Sequence, residues 1–159
     1  MENSNVTEVA KSVLETLLDG MGIVASVALQ AKPVTEGEGV TNPAVFDIEG
    51  EDLGILIGRR GQTLACLQFI VRLIVGHQTK DWVPIIIDVE GYKQRRYEQL
   101  HTLAKNLAEQ VKARRVPFTL EPMLAYERRI IHLALADDPD VTTESIGEGE
   151  SRKVVIRSK

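Results

Sequence analysis

Gly58 and Gly61 flank Arg59 and Arg60, and this four-residue loop lies between the apolar Ile55-Leu56-Ile57 and an apolar-periodic stretch that begins at Leu64. Glycine lets a backbone approach a ligand without a Cβ in the way. Two guanidinium forks suit the oxygens of a phosphate. A helix that starts just after the loop adds free N–H groups and the positive end of its dipole. Together these features suit the backbone of a nucleic acid. A bare G-x-x-G also serves as a plain turn between two helices, so the loop needs support from elsewhere in the chain. Arg128 and His132 supply some. They are four residues apart, hence one turn apart on one helix face, with Arg129 alongside. A guanidinium and an imidazole at this spacing both donate to phosphate, and an imidazolium there predicts tighter binding near pH 6. The plainer alternatives are a surface-decorating pair, or a buried His132 packed against Val154 or Ile156.

Other chemistry finds no support. His77, His101 and His132 are far apart and have no cysteine or carboxylate spacing typical of a metal site. Gly61-Gln62-Thr63 lacks the lysine of a Walker loop, and there is no Gly-x-Ser-x-Gly elbow. The expectation is a protein with no catalytic residue, no metal and no cofactor.

The chain has 159 residues, 43% hydrophobic and 26% charged, with a net charge of −4. That suits one or two small globular domains. Charge is uneven: residues 1–90 hold 6 Lys+Arg against 13 Asp+Glu, and residues 91–159 hold 13 against 10. Any nucleic acid must therefore be held by local basic sites and not by a global field. Cys66 is the single cysteine, which excludes an internal disulfide; among Leu64, Leu67, Ile70 and Val71 it reads as a buried apolar residue. The start of the chain lacks a signal-peptide pattern, and the apolar run 69–75 is interrupted by Arg72. A cytoplasmic protein with no membrane insertion is expected.

The elements that must position these residues fall into two blocks. In the first, Asn3 or Ser4 caps a helix with Val6, Val9, Val13, Leu14, Leu17 and Leu18 at helical spacing, ended by Gly20 and Gly22. Strands follow over 23–30 and 44–48, joined by an acidic hairpin connection at 32–39. A short helix spans 52–58. A longer one spans 63–75 with Leu64, Leu67, Ile70, Val71 and Ile74 inward, and a buried strand covers 84–89. In the second block a helix over 91–115 turns Leu100, Leu103, Ala104, Leu107 and Val111 inward. Its outer face carries Lys93, Arg95, Arg96, Lys105, Lys112, Arg114 and Arg115. A short strand lies at 118–120, a helix starts at Pro122, and strands over 141–146 and 153–156 are joined by a hairpin-like loop at 147–151.

The order αββααβ, with Leu53-Gly54-Ile55-Leu56-Ile57-Gly58-Arg59-Arg60-Gly61-Gln62-Thr63-Leu64 inside it, resembles a KH domain of type II topology over residues 1–90. Residues 91–159 resemble an R-3-H domain. That likeness rests on Leu120-Glu121-Pro122-Met123, Tyr126 to His132, Thr142 to Gly149 and Arg152 to Ile156. The pairing is similar to the bacterial Jag family, also called KhpB or SpoIIIJ-associated. Many of its members carry an additional N-terminal Jag domain and a linker, whereas this sequence begins at the KH helix. The fold implied is α+β: a type II KH domain, then a small R-3-H domain with a three-stranded sheet and two helices. The resemblance implies non-catalytic binding of single-stranded RNA, with single-stranded DNA left open. Gly58, Arg59, Arg60 and Gly61 would clamp the backbone, and Ile57 and Leu64 would wall the base groove. Arg128 and His132 would contact phosphate, joined by Arg152 from its position near the 147–151 loop. It also implies post-transcriptional control linked to cell shape or division, and a small KH-only protein as partner. A protein-interaction or dimerisation module using the KH fold as a scaffold remains the alternative.

Overall fold

A computed structural model describes residues 2–30, 43–80 and 84–159 of the chain. They fall into two compact units, Met1–Lys93 and Gln94–Lys159. The acidic connection expected at 32–39 lies outside the described residues.

The first unit runs α1 (Glu2–Gly20), β1 (Ala25–Gln30), β2 (Ala44–Gly50), α2 (Gly54–Ile57), α3 (Gln62–Thr79) and β3 (Ile85–Val89). This is the αββααβ order. β1 pairs antiparallel with β2, and β2 pairs parallel with β3, so β2 is central. A parallel neighbour demands a crossover, and α2, the arginine loop and α3 form it. The core lies between one sheet face and α1 and α3. Val6, Ala10, Leu14 and Leu18 recur every four residues on α1; Leu64, Leu67, Val71 and Val75 recur every three or four on α3; both stripes meet Phe46, Ile48, Ile85 and Ile87. Ile70, expected inward, is exposed, and so is Cys66, expected buried. Ile74 is only half-buried, while Val75 takes the core position. α3 is apolar on most of its circumference, so its composition cannot choose a stripe; the sheet it packs against does. α1 begins at Glu2, so Asn3 and Ser4 lie inside the helix and not at its cap.

The outer edge of β3 is satisfied by α3. Gln68 Oε1 accepts from Ile87 N at 2.9 Å, and Arg72 Nε donates to Ile85 O at 2.6 Å. An edge strand otherwise presents unpaired backbone groups. Lys93 Nζ donates to the same Gln68 Oε1 at 2.9 Å, so this lysine is not on a free outer face as expected.

α4 spans Tyr92–Arg114. The second unit adds β4 (Phe118–Thr119), α5 (Ala125–Leu135), β5 (Val141–Ile146) and β6 (Lys153–Ser158), with the antiparallel sheet order β4-β6-β5. Its core joins Leu100, Ala104, Leu107, Ala108 and Val111 of α4 to Ile130, Ile131 and Leu135 of α5 and to Val141, Val154 and Ile156. Leu103, expected inward, is exposed, and Ala108 fills the stripe instead. Two basic residues of the expected outer face are consumed by internal pairs. Arg96 Nε meets Glu127 Oε1 at 2.6 Å, with Glu127 fully buried. Lys112 Nζ meets Asp138 Oδ2 at 2.8 Å. α5 starts at Ala125, three residues after Pro122. The true N-terminus is set by Glu127, whose Oε2 accepts from Leu124 N at 3.3 Å.

Candidate nucleic-acid interface

The arginine loop is built by three left-handed residues in a row of four. α2 closes with Gly58 N donating to Gly54 O at 2.9 Å. Gly58 then takes φ 68° and ψ −169°, Arg60 φ 54° and ψ 34°, and Gly61 φ 76° and ψ 10°. A Cβ on Gly58 would fall on Thr63 Oγ1, and one on Gly61 would come within 2.9 Å of the Tyr92 ring. Glycine is therefore required at both places, for conformation and for space. α3 starts at the next residue with no side-chain cap. Gln62 N donates to Arg59 O, and the N–H groups that follow it in the first turn have no side-chain cap, the kind of group that can meet an anion.

Arg59 is exposed, Arg60 half-buried and Gly61 buried. Ile57 is half-buried against the core, and Leu64 is buried within it at 2% exposure. Leu64, expected as a groove wall, thus lies beneath the surface. Ile55, which the sequence reading left out, is 71% exposed one turn before the loop. Its signal was an apolar residue directly preceding two core positions, which periodicity alone does not flag as surface.

In the second unit Arg128 and His132 lie one turn apart on α5, both half-buried, and Arg129 is exposed. His132 is held by β5. Its Nδ1 is 2.6 Å from Thr143 Oγ1, and its Nε2 is 2.8 Å from Ser145 Oγ. Residues two apart on a strand point to one face, which is why these two hydroxyls can bracket one ring. Burial, and then the charge of Arg128, push the His132 imidazole below its ordinary range. That direction opposes a charged ring near pH 6, and both ring nitrogens already have hydroxyl partners within the unit. Neither hydroxyl was singled out from sequence, because nothing in Thr143-Glu144-Ser145 says which helix packs over it.

Arg152 is exposed just after the 3₁₀ turn Gly149–Ser151. Its carbonyl accepts from Met123 N at 3.2 Å, which fixes it beside the segment leading into α5. No hydrogen bond or ion pair among the described residues joins its side chain to Arg128 or His132. Among the described residues there is no group of three His, Cys, Asp or Glu able to hold a metal, and no helix long and apolar enough to cross a membrane.

The fold and these two sites define a two-domain protein of the KH plus R-3-H class. A family model described as the KhpA/KhpB KH domain matches residues 11–87, and the R-3-H domain model matches residues 98–158. The chain is 44% identical over 146 residues to the RNA-binding protein KhpB of Clostridium symbiosum, covering 92% of this chain and 63% of that protein. It is 33% identical over 161 residues to the RNA-binding protein KhpB of Bacillus subtilis, covering 100% of this chain and 74% of that one. A third KhpB, from Lactiplantibacillus plantarum, is 34% identical over 113 residues, 35% of its length. The chain belongs to the KhpB family.

Proposed function

We propose that this chain binds single-stranded RNA without catalysis, through the loop Gly58–Gly61 in one domain and through Arg128, the His132 face and Arg152 in the other. The observation that carries the reading is the loop itself. Two glycines at positive φ, each with little room for a Cβ, flank Arg59 and Arg60 immediately before the N-terminus of α3. That is a backbone clamp with sequence-tolerant chemistry. Ile55 and Ile57 are the apolar surface beside it on which bases would lie. The names of the similar KhpB proteins support RNA over DNA. A role in bacterial post-transcriptional control, tied to cell shape or division and carried out in the cytoplasm, is part of the same reading.

The test is fluorescence anisotropy with a labelled single-stranded RNA. Arg59→Asp together with Arg60→Asp should abolish most binding while circular dichroism stays native, since substitution in a surface loop costs little stability. Unchanged affinity would remove the loop from the mechanism.

A second reading, the protein-interaction module, draws on one observation. Phe69 is 61% exposed, Ile70 46% and Leu73 58%, all on one side of α3. A contiguous apolar helix face of this kind suits a docking partner, and a small KH-only protein is the partner we assign to it. Phe69→Glu should abolish such an association in sedimentation velocity and leave the affinity for short RNA intact.

A further inference from the structure

Resting on the RNA-binding reading, we propose that the hydroxyls of Thr143 and Ser145 are the phosphate donors of the second domain, and that His132 is a positioning residue that decides which of them faces outward. The argument is a count of protons. A neutral imidazole has one N–H and one acceptor nitrogen, and each hydroxyl has one proton. Both ring nitrogens are hydrogen-bonded, one to Thr143 Oγ1 and one to Ser145 Oγ. The acceptor nitrogen takes the proton of one hydroxyl. The ring N–H donates to the oxygen of the other hydroxyl, whose own proton is then released from the ring. Either tautomer therefore leaves one O–H to donate elsewhere, from Thr143 or from Ser145.

That released proton has few alternatives within the sheet. The cross-strand neighbours of Thr143 and Ser145 are Ile156 and Val154, both buried and apolar. No other side-chain partner of either hydroxyl is found among the described residues. Thr143 and Ser145 are each half-buried, so part of each remains accessible to an incoming oxygen. The charge that acts on the ring is that of Arg128, one helical turn away, and the two groups bonded to the ring, Thr143 and Ser145 of β5, carry none, nor do their cross-strand neighbours Ile156 and Val154. A phosphodiester oxygen next to Arg128 supplies the acceptor that the released hydroxyl lacks. The guanidinium contributes charge, and the hydroxyl contributes an aimed donor. The ring contributes neither directly: its part is to hold two hydroxyls in a fixed and complementary state.

The experiment separates this arrangement from a direct histidine contact and from a merely structural role. Single-stranded RNA binding by the whole chain is measured against salt for wild type, for Thr143→Val with Ser145→Ala, for Thr143→Ser and for Arg128→Ala. Loss of a hydrogen bond to a charged group predicts a drop of about tenfold for the double hydroxyl variant. The log–log salt slope should stay unchanged, because a neutral donor releases no counterion. Arg128→Ala should instead make that slope shallower by about 0.7. Thr143→Ser, which keeps the hydroxyl, should bind like wild type. Nitrogen-detected NMR of the free protein should show His132 neutral at pH 7 with both ring nitrogens hydrogen-bonded. Wild-type affinity in the double hydroxyl variant would overturn the inference and leave the RNA-binding reading standing. A shallower slope in that variant would also overturn it, by showing that the hydroxyls act only by holding Arg128. No RNA binding by the wild-type chain would overturn the underlying reading, and this inference with it.

Discussion

At the scale of single residues, the loop depends on backbone conformations that only one residue type tolerates. Gly58 sits at φ 68° with ψ near 180°, a region essentially confined to glycine, and Thr63 closes the space where a side chain would start. Gly58→Ala should destabilise the first unit by about 2 kcal/mol or more, from backbone strain and from the displaced threonine. In a unit of this size that lowers the melting midpoint by about 10 °C. Differential scanning calorimetry checks it. An unaltered midpoint would mean that the loop relaxes freely, and the rigid-clamp picture would fail. Asp88 is a different kind of residue-level strain. It is paired in register with Asp47 across β2 and β3; both are buried, and Asp47 Oδ1 and Asp88 Oδ2 have no hydrogen-bond partner among the described residues. Burial pushes the Asp88 carboxyl above its ordinary range, and the Asp47 charge adds to this, against the opposing backbone N–H groups of Lys93 and Val89 and the charge of Lys93. A raised folded-state value means that the folded chain holds the proton more tightly than the unfolded one. The penalty is absent below the ordinary carboxylate range and grows as pH rises through the folded value. Asp88→Asn keeps an oxygen for the two N–H groups and removes the charge. Its urea midpoint should exceed that of wild type at pH 7.5, and the gap should close as pH falls toward 4.

At the scale of elements, one ion pair ties the two helices of the second unit. Glu127 is fully buried, receives Arg96 Nε, and also accepts the N–H that opens α5. Removing one partner leaves a buried charge, which costs about 3–5 kcal/mol. Glu127→Ala and Arg96→Ala should each destabilise the second unit on that scale. The double variant should recover part of the loss, since neither charge is then stranded. Chemical denaturation followed in the four proteins of the cycle measures the coupling. Strict additivity would show that the pair is incidental to the α4–α5 packing. Arg128 and His132 sit on the very helix whose start Glu127 defines, so the same pair also positions the candidate site.

At the scale of the whole molecule, an acidic first half and a mildly basic second half must bind RNA, on our reading, through a few local contacts. About four to six engaged phosphates give a salt slope near −3 to −4 on a single strand. If both domains hold one strand, tethering raises the effective concentration of the second site. Arg128→Ala should then weaken a long single strand much more than a four- or five-nucleotide fragment held by the loop alone. Equal loss on both lengths would show that the domains do not share a strand.

The α+β class, the αββααβ order and the helix–sheet composition of the second unit were legible in the residues, because hydrophobic period and glycine placement are local properties. The family was legible too, since its motifs are short and contiguous. Which side of α3 is buried was not. Leu64, Leu67, Ile70, Val71 and Ile74 read as one stripe, yet packing against β2 and β3 buries Val75 and leaves Ile70 and Cys66 at the surface. The fate of the charges was equally hidden. Arg96, Lys93 and Lys112 look alike as solvated residues of a helix, and only the approach of Glu127, Gln68 and Asp138 from distant segments draws them inward. The same holds for His132, whose ring is claimed by two hydroxyls more than ten residues away. Period and punctuation are written along the chain; which polar groups meet across it depends on the packing of elements, and that exists only once the chain has folded.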